Sequence, residues 1–405
     1  MKRCFAFWPI LLFTAQIFVT VSLAESSFSF AFRAREKVLL GPFGTVSRLT
    51  VWDDFSSPYA NERFETLWAN IRDLLWELDG LFSLSDPDSE ISRFNALPEG
   101  GSLPISFHTA RLIGQCQALY EKTEGFFDPS VYPLVDLWGF SPRFRNGEKA
   151  AMPYDRARDR ETGTLPPPDA RYLETFHRLV GFSDIRLTED GAGNTILIKN
   201  TKSVTVDGIV YAAQIDLGGI AKGYATDLVT EKMRAAGIVY GFFSCGTSSV
   251  SLLASGGTED REFRLAVRNP RPAEETPEAF ATVLVSGACL STSGDYDDNY
   301  FVAGQRACHI IDPFTGFPLN MHPNGTREGF CSATLLSGSA CEDDALTTAL
   351  LLMEEERARA LVKTLDGRNV LLVRERADGD GYDVLTNLSE ERVSLLDSRF
   401  RLIPL

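Results

Sequence analysis

Residues 61–82, NERFETLWANIRDLLWELDGLF, put Phe64, Leu67, Trp68, Ile71, Leu74, Leu75 and Leu78 at helical spacing. A helix of that length with one apolar stripe must bury the stripe against another layer. Asn61 is its expected N-cap. The rest of the chain supplies such layers. SRLTVWD (47–53) alternates like a strand, and TARLIGQCQALYEKT (109–123) reads as a second helix ending before Gly125. TILIKN (195–200) and SVTVDG (203–208) read as successive strands. IDLGGIAKGYATDLVTEKMRAAG (215–237) follows as a helix stopped by Gly237. GFFSCGTSSVSLLASG, FRLAVRNP and FATVLVSGACLSTSGD read as further strands. The expectation is α+β: one compact domain over 25–405 with a mixed or antiparallel sheet and no internal repeat. SPRFRNGEKAAMPYDRARDRETGTLPPPDA (141–170) is charged, proline-bearing and poor in large apolar residues, so it reads as an exposed loop or insertion. NPRPAEETPEA (269–279) reads as a shorter surface loop.

A formal net charge of −15 argues against non-specific binding to nucleic acid or anionic lipid, since both need a positive footprint. The N-terminus, MKRCFAFWPILLFTAQIFVTVSLAESS, has Lys2 and Arg3 ahead of an apolar run and a small residue at Ala24. Residues 1–24 therefore read as a secretory signal, cleaved or kept as a membrane anchor through Phe5–Leu23. No cysteine follows the run, so a lipoprotein is not expected. Six cysteines remain beyond Cys4, scattered and without a C-x-x-C pair, and they read as small buried hydrophobes.

Three stretches have the residue types that chemistry needs. In Asp216-Leu217-Gly218-Gly219-Ile220-Ala221-Lys222-Gly223, two glycines stand where a strand gives way to a helix. Glycine lets the backbone come close to a ligand, and a helix N-terminus offers free N–H groups to an anion. Lys222 adds positive charge and Asp216 an acceptor. In CEDDALTTALLLM (341–353), Asp344 and Thr348 lie four apart on one helical face, and so do Asp343 and Thr347. A carboxylate with a hydroxyl suits a hard cation such as Mg²⁺. Capping would account for one aspartate, and spacing does not choose between the pairs. In residues 291–320, His309 precedes Ile310-Ile311-Asp312-Pro313 and a turn; the other three histidines have no comparable setting.

Taken in order, these segments resemble the ApbE family, the FAD:protein FMN transferases. The family's D-L-G-x-x-A-K-G-Y, T-S-G-D-Y, H-I-I-D-P-x-T-G and D-A-x-x-T-A segments are matched at Asp216–Tyr224, Thr292–Tyr296, His309–Gly316 and Asp344–Ala349. GPFGT (41–45), FSLSDPDSEISRFN (82–95) and GFFDPSVYPLVDLWGF (125–140) are similar to family signatures too. The resemblance implies an Mg²⁺-dependent enzyme that cleaves FAD, transfers FMN to a threonine or serine hydroxyl of a target flavoprotein, and releases AMP. It implies metal contacts at the Gly219 carbonyl, Asp344 and Thr348, which favours the Asp344/Thr348 pair. It implies a flavin site lined by Asp216, Lys222, Ile311 and Phe126-Phe127-Asp128, with Phe43 where the family commonly has methionine. His309 becomes the candidate base and, with Asp344, the candidate catalytic pair. Expected partners are exported flavoproteins of respiratory electron-transfer or sodium-pumping complexes, met in the periplasm. The rival readings are an FAD pyrophosphatase, with water in place of the hydroxyl, and a non-catalytic FAD-binding protein.

Two features depart from the pattern. Ser244–Ser249 stands where the family often has Gly-Gly-Asp or Gly-Gly-Asn, and VSGAC (285–289) echoes an acceptor motif but ends in Cys289 inside an expected strand.

Overall fold

The computed structural model describes residues 19–20, 32–142, 166–254, 262–297, 299–302, 305–319, 321 and 329–405. All of the expected signal segment except Val19–Thr20, residues 143–165 of the expected loop, and His322 lie outside the described residues. The principal elements in chain order are β1 (Phe32–Leu40), β2 (Val46–Asp54), α1 (Pro58–Phe82) and α2 (Phe107–Lys122). Next come α3 (Ala221–Ala235), β3 (Tyr240–Cys245), β4 (Ser249–Ala254), β5 (Phe263–Arg268), β6 (Ala279–Val285) and β7 (Cys289–Gly294). The chain ends with β8 (Phe330–Ser337), α4 (Ala340–Leu352), β9 (Asn369–Glu375), β10 (Tyr382–Thr386), β11 (Val393–Leu395) and β12 (Phe400–Pro404).

The central sheet has nine strands in the order β1-β2-β3-β4-β7-β8-β9-β10-β12. Its neighbours pair antiparallel except β10 and β12, which run parallel, so the sheet is mixed as expected. A smaller sheet, β5-β6-β11 with Val19–Thr20 outside β5, pairs antiparallel. Helices cover one face of the large sheet and the small sheet covers the other. The alternation of side chains shows this directly. Along β9, Val370 and Leu372 join the helix-side core, whereas Leu371 and Val373 join the sheet-side core. Along β3, Phe243 and Cys245 face the helices, and Tyr240 and Phe242 face the small sheet. Strands buried on both faces read as unbroken apolar runs, which is why these segments lack a polar alternation.

Several boundaries differ from the sequence expectation. Helix α1 starts at Pro58 with Ser57 as N-cap, not at Asn61. Proline suits the first helical position because its missing N–H is unpaired there anyway. The Asn61 side chain donates instead to the carbonyls of Phe55 and Ser57. Helix α3 begins at Ala221, leaving Asp216–Gly219 in a turn, and Gly237 takes φ +70 just beyond its end. Residues 195–198 and 203–206 are both strands but belong to different small sheets. Cys289 begins β7, so VSGAC turns the corner between β6 and β7, with Gly287 at φ +57. All six described cysteines are buried and none of them forms a disulfide, as expected of small hydrophobes. Among the described residues no helix is long and apolar enough to cross a membrane.

Candidate active site

The turn before α3 is held from behind. Asn95 grips Ile215 at both ends: its Oδ1 accepts the Ile215 N–H and its Nδ2 donates to the Ile215 carbonyl, each at 2.8 Å. Asn95 is fixed in turn by buried Lys199, whose Nζ donates to the carbonyls of Asn95 (3.0 Å) and Leu97 (2.9 Å). Burial alone lowers the Lys199 ammonium to about 8. Between about pH 8 and 10.5 the unfolded chain keeps a proton that the folded chain has released, so stability rises with pH there. Lys199→Met should remove that rise, seen as a gap between wild-type and variant urea midpoints that changes in favour of the wild type between about pH 8 and 10.5; a wild-type slope in the variant would refute it.

From this base the turn reaches forward. Asp216 Oδ1 accepts the Gly218 N–H at 2.7 Å, and Lys222 Nζ donates to the Gly218 carbonyl at 2.9 Å. A Cβ built on Gly219 would lie 3.5 Å from Phe127 Cε2 and 3.8 Å from Thr348 Oγ1. Residues from three distant stretches thus meet at Gly219.

Helix α4 supplies the opposite wall. Ser339 caps it, accepting from the Glu342 N–H at 3.3 Å. Asp227, on α3, accepts the N–H groups of Ala340 (2.7 Å) and Cys341 (3.1 Å) and the Ser339 hydroxyl (2.9 Å). Capping is therefore complete without Asp343 or Asp344. The two aspartates then divide. Asp343 accepts from Ser337 Oγ at 2.7 Å and pairs with Arg368 Nε at 3.3 Å; burial chiefly pushes it up to about 7, against Ser337 and Arg368. Asp344 is buried and accepts one hydrogen bond on Oδ2, from the Gly223 N–H at 3.0 Å; among the described residues its other oxygen accepts none. Burial holds its carboxyl above the usual range, while Lys222 and the Gly223 N–H pull it down. Thr348 Oγ1 lies 3.2 Å from the Asp344 carbonyl.

These donors fit a hard cation. A buried carboxylate with an oxygen to spare costs free energy unless positive charge meets it. Among the described residues no cluster of three or more His, Cys, Asp or Glu side chains forms. Asp344 brings a buried carboxylate, Thr348 on the same helix a hydroxyl, and Gly219 comes close to that hydroxyl with its backbone. That set suits Mg²⁺, which binds through one or two carboxylates and completes its shell with water and phosphate oxygens.

The aromatic segment adjoins this point. Asp128 caps its own turn, accepting from the Ser130 N–H (2.7 Å) and hydroxyl (2.6 Å), so it orients the segment through the backbone. Phe126 packs edge-on against Phe314 with ring centroids 4.8 Å apart, joining the segment to the 309–316 loop. In that loop Ile311 is buried and bridges to Pro318, and Asp312 Oδ1 accepts the Phe314 N–H at 2.8 Å. His309 Nδ1 lies 3.3 Å from the Asp297 carbonyl. On the other side Phe43 takes a left-handed φ of 57, held by its N–H donating to Asp79 Oδ1 at 2.7 Å. Gly41, two residues earlier, sits at φ +122, where a side chain would be strained, and a Cβ there would also meet the Trp76 ring at 2.6 Å. The divergent Ser244–Ser249 segment contributes Cys245. Burial pushes its thiol up to about 12, with Lys222 lowering it and Asp344 and Asp79 raising it. Cys245 thus lies within electrostatic reach of Lys222 and Asp344.

The structure therefore gathers Gly219, Lys222, Phe127, Asp344 and Thr348 at one point. Phe126 links that point to the loop of His309 and Ile311, and Phe43 stands with Asp79. Sequence reasoning missed Asn95, Asp79, Asp227 and Ser293. Asn95 and Ser293 lay inside recognised stretches; Asp79 and Asp227 gave no signal beyond a polar position on a helix.

The ApbE family model matches residues 43–372, which span every segment above except Gly41 and Pro42. The chain belongs to the ApbE family. The FAD:protein FMN transferase of Klebsiella pneumoniae (strain 342) is 28% identical over 318 residues, covering 78% of this chain and 79% of that protein. Among solved structures, the ApbE protein of Thermotoga maritima superposes with a TM-score of 0.65 at 26% identity, over 85% of this chain and 95% of its own. Flavin transferase ApbE from Vibrio cholerae gives 0.62 at 26% identity, over 87% and 97%. The ApbE-family architecture accounts for the compact α+β fold.

Proposed function

We propose that this chain is an FAD:protein FMN transferase that splits FAD at its pyrophosphate, transfers FMN to a threonine or serine hydroxyl, and releases AMP. One observation carries the reading: a buried carboxylate with a spare oxygen, a hydroxyl and a glycine backbone converge beside a lysine. The family relatives named FAD:protein FMN transferase support it.

Asp344, Thr348 and the Gly219 carbonyl would hold Mg²⁺, which supplies charge neutralisation at the pyrophosphate. Lys222, one of whose ammonium protons is engaged by Gly218, has others to give to a phosphate oxygen. Phe126, Phe127, Ile311 and Phe43 would offer apolar surface to the isoalloxazine, and Asp216 a polar contact at its edge. The acceptor oxygen attacks the FMN phosphorus, the bridging P–O bond breaks, and its electron pair leaves with AMP. His309 would take the hydroxyl proton, a contribution of roughly 10²–10⁴-fold. We place the reaction in the periplasm, with the N-terminal segment removed or kept as an anchor. The acceptors would be flavoproteins of respiratory electron-transfer or sodium-pumping complexes.

The test combines the purified protein with FAD, Mg²⁺ and an acceptor domain carrying an S/T-G-A-T segment. Mass spectrometry should find an FMN adduct on the acceptor with one AMP released per adduct. Free FMN and AMP without an adduct would replace transfer by hydrolysis, and intact FAD would leave only binding.

A further inference from the structure

We propose that Ser293 is a positioning residue that turns the Thr348 hydroxyl proton away from the cation site, so that a Thr348 lone pair faces it. The inference rests on the metal-site reading above and extends it to a residue that reading does not use.

The argument is a count of protons. Each hydroxyl has one proton to donate and lone pairs to accept with. Thr347 Oγ1 lies 2.9 Å from the carbonyl oxygens of both Asp343 and Asp344, which only accept, so its proton goes to one of them. Ser293 Oγ lies 2.9 Å from Thr347 Oγ1. When the Thr347 proton goes to one of these carbonyls, Ser293 is the donor to Thr347. Ser293 Oγ also lies 3.3 Å from Thr348 Oγ1, and with its own proton spent it can only accept. The protein acceptors within reach of the Thr348 proton are then Ser293 and the Asp344 carbonyl at 3.2 Å. Both directions lead into the protein. The relay runs Thr348 to Ser293 to Thr347 to a helix carbonyl, and it leaves the outer lone pairs of Thr348 free for a cation.

Strand β7 makes this possible by alternation. Ser291 and Ser293 both face α4, but Ser291 Oγ donates to the Ala340 carbonyl at 3.2 Å and does not enter the threonine pair. Ser291 is thus a natural control on the same strand face. Asp295, two residues further on, is clamped by both terminal nitrogens of Arg271 at 2.6 and 2.7 Å, which fixes the end of β7.

The experiment measures Mn²⁺ affinity by electron paramagnetic resonance on the full chain, with FAD present and no acceptor, alongside urea stability. Ser293→Ala should weaken Mn²⁺ binding about three- to tenfold, and Ser293→Thr, which restores a hydroxyl, should recover most of it. Ser291→Ala should bind Mn²⁺ as the wild type does. If Ser293→Ala binds Mn²⁺ normally while Asp344→Ala does not, the positioning role is overturned and the metal site stands. If Asp344→Ala also binds normally, the metal-site reading falls and the Ser293 proposal with it. Equal weakening in Ser291→Ala and Ser293→Ala would reduce Ser293 to strand–helix packing and overturn the proposal.

Discussion

Asp344→Asn should lower FMN transfer on the order of 10²–10³-fold while leaving the fold intact, measured by acceptor adduct formation and by urea unfolding of the same preparation. The asymmetry follows from the surroundings of this side chain. Asparagine can still accept the Gly223 N–H through its oxygen, so the contact between α3 and α4 survives. What disappears is the negative charge, the only side-chain charge in the donor set beside Gly219 and Thr348. The linkage sign supports an intact fold. Burial raises the Asp344 carboxyl above its ordinary 3.8, so its ionisation with no cation bound costs stability as pH rises through that shifted range. A neutral asparagine avoids this cost, and the variant should be at least as stable as the wild type at neutral pH. A variant that transfers within tenfold of wild type would sink the cation role of Asp344.

Gly223→Ala should destabilise the protein by about 3 kcal/mol or more, because two helix backbones meet at this residue. A Cβ on Gly223 would fall inside the Ala340 carbonyl oxygen and 2.8 Å from Cys341 Cα. Neither neighbour is a side chain that can swing away. Relief requires α4 to back off from α3, and that motion also pulls Asp344 from the Gly223 N–H and Asp227 from the α4 N-terminus. Urea denaturation should show the loss, and any soluble fraction should have lost transfer as well. An alanine variant with the wild-type midpoint would mean the two helices separate freely.

These two residues also mark where the sequence was informative. The periodicity of 61–82 marks a helix and its buried face, but not its start, since Asn61 has the character of a cap while the helix begins three residues earlier at Pro58. The apolar runs of β3 and β9 announced strands without saying that one sheet face meets helices and the other a second sheet. A residue buried on either side has the same composition. At the site, spacing offered Asp343/Thr347 and Asp344/Thr348 equally. The structure separates them through Arg368, which lies far along the chain and pairs with Asp343. Asp227, Asp79 and Ser293 act through partners remote in sequence, and a polar residue on a helix or strand does not advertise such a partner. Glycine at 223 was legible as a residue type, but the second helix pressed against it was not.

The buried cysteines have a further consequence. Burial pushes the thiols of Cys245, Cys289 and Cys331 up to about 12 and holds those of Cys116 and Cys341 above their ordinary value. A thiol at about 12 exposes roughly one thiolate in 10⁵ at neutral pH, and an alkylating reagent needs the thiolate. These groups sit in both cores: Cys116, Cys245 and Cys341 lie among the helices, and Cys331 lies between the sheets. Modification at each therefore waits for its own layer to open, so the rate of labelling at the helix-side cysteines against that at Cys331 reports which layer of the molecule comes apart first.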